Sequence, residues 1–112
     1  MIETLDIPER DAQEIFFERG WTDGLPVVMP TADRVAAMLA GGGVDADEVL
    51  GAVPARRRTV TAALAAINAV MAGCRPDYFP IVLAALRAML DPLWNANGAL
   101  TSTGGSAACI LV

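Results

Sequence analysis

The chain has 112 residues, a formal net charge of −5, 54% hydrophobic and only 5% aromatic residues, which is enough for one domain with a modest core. It contains no histidine and no lysine, so all eight positive charges are arginine. That removes Ser-His-Asp and Cys-His catalysis within the chain, histidine-ligated metal, Schiff-base chemistry and the phosphate-binding P-loop.

The acidic start "MIETLDIPERDAQE" is not a signal peptide. "PERDAQEIFFERG" predicts a helix opening near Pro8 and closed by Gly20, with Ala12, Ile15, Phe16 and Arg19 along one stripe. "WTDGLPVVMPT" follows as a turn and a short extended segment, because Asp-Gly marks the turn and two prolines bar a helix. Thr31 caps a second helix, "ADRVAAMLAGGG", with Val35, Met38 and Leu39 inward and three glycines ending it. "DADEVLGAV" reads equally as short helix or strand, and "PARRRTVT" leads out of it.

Thr59 or Thr61 starts a third helix, "VTAALAAINAVMAG", in which Val60, Leu64, Ile67 and Met71 recur at spacings of four, three and four. Its opposite face is small: Ala62, Ala65, Ala66, Ala69 and Ala72. "RPDYFPIVLAALRAMLDP" predicts a fourth helix, entered through Pro76 and Pro80 and stopped at Asp91-Pro92. Phe79, Val82, Leu83, Leu86 and Leu90 form its apolar face. The tail offers two strands, Ala99 to Thr103 and Ala107 to Val112, joined by Gly104-Gly105-Ser106.

Charge divides the chain. Residues 1–58 carry eleven carboxylates and six arginines, whereas residues 59–112 carry only Arg75, Asp77, Arg87 and Asp91. A surface helix needs a polar face, and the third and fourth helices have almost none. The expected fold is therefore α/β or α+β: one domain over residues 1–112, with a small sheet and buried alanine-rich helices, incomplete alone and completed by a second polypeptide. The apolar ending "AACILV" points the same way. On this reading the chain is the N-terminal portion or a subunit of a larger α/β protein, divided between genes or produced by proteolytic or autoproteolytic processing.

Two blocks, "WTDGLPVVMPT" (Trp21 to Thr31) and "AINAVMAGCRPDYFPIVLAAL" (Ala66 to Leu86), resemble a bacterial family neighbouring the UGSC-type thiol or selenocysteine proteins. These are relatives of glycine-reductase-like components. The resemblance covers the N-terminal part of such proteins and implies reductive or lyase chemistry at a carbon–heteroatom bond. The cysteine or selenocysteine motif that names the UGSC group is absent here.

The most site-like segment is Thr101 to Ser106, where Gly104 and Gly105 free main-chain amides to converge on an anion and Thr103 and Ser106 supply hydroxyls. Asn95 and Asn97 precede it and suit a carboxylate or amide substrate. Trp21 and Asp23 place a carboxylate beside an indole, and Arg75 adds a cation. A strand turn explains the glycines equally well, and an Asp-Gly turn explains Asp23. Cys74 and Cys109 read as reduced thiols packed in the core. Arg56, Arg57 and Arg58 would bind a carboxylate or phosphate well, although such clusters are usually solvated.

The expected function is a subunit of a cytoplasmic enzyme acting on a small polar metabolite, by carbon–heteroatom cleavage or hydrolysis. Thr103, Ser106 and Asp23 are its candidate catalytic groups, and Gly104, Gly105, Asn95, Asn97, Trp21 and Arg75 its substrate contacts. The alternative is a non-catalytic assembly subunit that oligomerises through apolar helices. No cofactor or metal site follows from the pattern. Net acidity argues against a nucleic-acid partner, and the lack of about 18 uninterrupted apolar residues argues against a membrane one.

Overall fold

A computed structural model describes residues 2–94 and 107–112. Among these residues four α-helices and one two-stranded antiparallel sheet form an α+β fold. Helix α1 (Glu9–Glu18) begins directly after Pro8, whose fixed φ starts a helix without needing its missing N–H. Helix α2 (Ala32–Gly42) is capped by Thr31, whose hydroxyl accepts from the Arg34 amide, and it ends at Gly43 in the left-handed conformation. The undecided stretch is a strand, β1 (Val49–Val53), joined by a 3-10 turn to β2 (Arg58–Thr61). Helix α3 (Ala62–Met71) follows at once, and α4 (Phe79–Met89) is entered through a second 3-10 turn, Pro76–Tyr78.

Pairing runs Val53↔Arg58, Ala52↔Thr59 and Gly51↔Val60, then skips to Val49↔Thr61. Leu50 is thus the extra residue of a bulge, which turns its side chain into the core. Thr61 serves two elements: it ends β2 and its hydroxyl accepts from the Leu64 amide as the cap of α3. Thr61→Ala should therefore cost about 1 kcal/mol, lowering the melting midpoint by about 4–8 °C. Thermal circular dichroism measures this, and an unchanged midpoint would show that the cap contributes nothing.

Met38 of α2, Phe79 and Leu83 of α4, and Leu50 centre the core, with Ala62, Ala65, Ala66, Ala69 and Val70 of α3. On α3 it is the small face that points inward. Its alanines are buried, whereas Leu64 stays 36% exposed and Ile67 and Met71 are only half-buried. Helix α2 packs closely elsewhere. A Cβ on Gly42 would stand 2.6 Å from Phe79 Cδ1, and one on Gly41 would run into the Pro76 carbonyl. The two glycines thus let α2 lie close to the Pro76 turn and to the large residues of α4. The expected inward face of α4 is observed: Phe79 and Leu83 are buried, with Val82, Leu86 and Leu90 packed partly against the core.

The tail is a correction. Residues 107–112 carry no regular secondary structure, and Leu111 and Val112 are 93% and 97% exposed. Apolar composition alone does not make a strand; it needs a hydrogen-bonded neighbour, and among the described residues none pairs with this segment. The other expected strand, 99–103, lies outside the described residues. No helix among the described residues is long and apolar enough to cross a membrane.

Candidate functional site

Six of the predicted site residues, Asn95, Asn97, Thr103, Gly104, Gly105 and Ser106, lie outside the described residues. The other three fall on two segments. Trp21 follows α1, where its ring meets Phe16 edge-on at 5.2 Å and lies under the Arg19 guanidinium at 5.1 Å. Arg19 is held in turn by Glu3, to which Nη1 donates at 2.7 Å. This is an amphipathic stack at the end of a helix, with an apolar body and a charged rim.

Asp23 closes the turn that follows. Its Oδ1 accepts from the Leu25 amide at 3.1 Å, while the Thr22 hydroxyl donates to the Leu25 carbonyl at 2.9 Å. The carboxylate thus builds the turn, in the manner of an Asx turn. Arg75 precedes the 3-10 turn in the α3–α4 connection, where Nε lies 3.5 Å from Asp77 Oδ1 and the guanidinium sits 5.9 Å from the Tyr78 ring centroid. Its ionic partner is local rather than Asp23.

Two side chains that the sequence did not single out organise this region. Gln13 of α1 acts as a surrogate backbone unit: Nε2 donates to the Leu25 carbonyl at 3.1 Å and Oε1 accepts from the Val27 amide at 3.2 Å. Arg34 of α2 donates from Nη1 to the Met29 carbonyl at 2.9 Å and lies 3.6 Å from Glu9. Both fasten the extended segment Pro26 to Pro30 between α1 and α2. A lone glutamine and arginine on predicted helix surfaces carry no signal of this in one dimension.

The same segment touches the end of α3, where the Val28 amide donates to the Met71 carbonyl at 3.1 Å. Beside that bond opens a depression of about 190 Å³, walled by Val28, Arg34, Met38, Val70, Cys74 and Pro76 among others. The two blocks of sequence singled out above therefore meet at its wall. Cys74 is half-buried, and its thiol donates to the Arg75 carbonyl at 3.5 Å. No carboxylate lines the depression, so the thiol has no carboxylate base there, and the Arg34 on its wall is already engaged by Glu9 and the Met29 carbonyl. No buried side-chain nitrogen or oxygen among the described residues lacks a hydrogen-bond partner, and no group of three or more acidic or thiol side chains among them could hold a metal ion.

Comparison with protein-family models, with curated proteins and with solved structures finds no match to this chain.

Proposed function

We propose that the chain is an interaction module of a larger assembly, with a second polypeptide seated on apolar side chains that its own fold leaves outside. The observation that carries this reading is the arrangement of α3, which turns its small face inward. The alanines of α3 line the interior while its Leu64 faces outward, and Ile81 of α4 and Val49 at the bulged end of β1 are exposed as well. Val49 pairs with Thr61, which caps the turn of α3 bearing Leu64, so these two apolar side chains flank one element junction. Helices that use their small face for the core keep their larger apolar face for something else.

The test is the oligomeric state. At micromolar concentration the chain alone should self-associate in light scattering, and Leu64→Lys combined with Val49→Lys should shift it toward monomer without changing its circular dichroism. A wild-type monomer with a cooperative melt overturns the reading.

A second reading is favoured by the depression between the two blocks. In it the assembly is an enzyme acting on a small polar metabolite, which would lie against Arg34 and Cys74. The resemblance to glycine-reductase-like components supports this class of substrate. In a Cys109→Ser background glycine should then slow alkylation of Cys74 by iodoacetamide, and unchanged alkylation rates would refute it.

A further inference from the structure

We propose that the turn between β1 and β2 docks a carboxylate-rich segment of a partner polypeptide through Arg56, Arg57 and Arg58. The inference deepens the module reading by naming the chemistry of one contact. It rests on that reading only in supposing a polypeptide ligand.

The pairing of the arginines carries it. Arg10, Arg19, Arg34, Arg75 and Arg87 each have a carboxylate within 2.6–3.7 Å: Asp11, Glu3, Glu9, Asp77 and Glu48 respectively. Arg56, Arg57 and Arg58 form no ion pair with any described residue, and residues 95–106 contain no Asp or Glu. A chain with thirteen carboxylates for eight arginines thus gathers its three unmatched cations at one hairpin end. Three adjacent guanidiniums repel one another, and no carboxylate among the described residues lies within ion-pair distance of them.

The backbone adds a separate argument. Arg57 lies in the left-handed region, with φ 49° and ψ 42°, and is the one non-glycine residue with positive φ among the described residues. Glycine takes this conformation freely and arginine does not. A residue chosen only to make the turn would be glycine or asparagine. The arginine is better explained by its head group than by its backbone.

The ligand class follows from the surroundings. All three residues are exposed at the outer end of a hairpin, a place for a chain laid across it. Guanidinium forks match carboxylates in two-point contacts. The net charge of −5 opposes a long polyanion such as nucleic acid but not a short acidic segment confined to the turn.

The test is fluorescence anisotropy of a hexaglutamate peptide bearing a neutral dye, titrated with the whole chain at roughly 50 and 150 mM salt. Binding should weaken with salt, and the triple variant Arg56→Gln, Arg57→Gly, Arg58→Gln should bind about tenfold more weakly or less, with an unaltered circular dichroism spectrum. Arg57→Gly alone, which suits the backbone there, should weaken binding while keeping the melt. Arg10→Gln, which removes a paired arginine, should leave it unchanged. Equal binding by wild type and the triple variant overturns the proposal. Displacement of the peptide by inorganic pyrophosphate at equal or lower concentration also overturns it, in favour of a phosphate site. Self-association in light scattering is a separate readout, so failure here leaves the apolar interface standing, and the converse also holds.

Discussion

Ala66→Leu should destabilise the protein by about 1–3 kcal/mol, whereas Leu64→Ala, two residues away on the same helix, should cost less than about 1 kcal/mol. Ala66 is fully buried in the cluster formed with Met38, Phe79 and Leu83. Three extra carbons there must displace side chains that are already in contact. Leu64 is partly in solvent, so trimming it removes little buried area and leaves no closed cavity. Urea denaturation of both variants, with midpoints compared at constant slope, measures the difference. The reverse order of costs would mean that the large residues of α3 face the core after all. The contrast matters for function, because the partner surface exists only if Leu64 points away from the core.

Gly41→Val should cost about 3 kcal/mol, near the upper end for overpacking, and lower the melting midpoint by roughly 10–20 °C. The added Cβ meets the backbone carbonyl of Pro76, and no rotamer change moves a main-chain oxygen. Relief requires α2 to part from the turn that leads into α4, and Cys74 and Pro76 on the wall of the depression move with that turn. Gly43→Ala is the control: its Cβ meets nothing within 4 Å, but φ is +62°, so it should lose only the left-handed preference, about 1–2 kcal/mol. A Gly41→Val variant as stable as wild type would show that α2 and the α3–α4 connection are not in close contact.

Much of the architecture was legible along the chain. Pro8 and Thr31 mark helix starts, and Thr59 or Thr61 the third, because their chemistry is local: a fixed φ, or a hydroxyl within reach of its own helix amides; the structure selects Thr61. The apolar face of α4 was readable because Phe79, Val82, Leu83, Leu86 and Leu90 recur at helical spacing opposite Ala84, Ala85 and Ala88. The stretch Val49–Val53 could not be assigned, since five residues with a glycine in the middle fit either period. It becomes a strand through pairing with Arg58–Thr61, a contact that local propensity does not contain. Of the candidate site, Trp21, Asp23 and Arg75 were nameable as residue types, but their partners Phe16, Leu25 and Asp77 show them engaged in local structure.

The sequence by itself determined the first two helix starts, the absence of histidine and lysine chemistry, the charge-poor second half and the arginine triplet. Each is a property of composition or of a few neighbouring residues. Tertiary structure alone decided which face of α3 is inside, which arginines have partners, and that Val28 and Cys74 share one depression. Those outcomes depend on distances between segments far apart in the chain. Size ranks residues by how much they gain from burial, but the space between packed elements decides what fits, as the buried alanines of α3 beside its exposed Leu64 show.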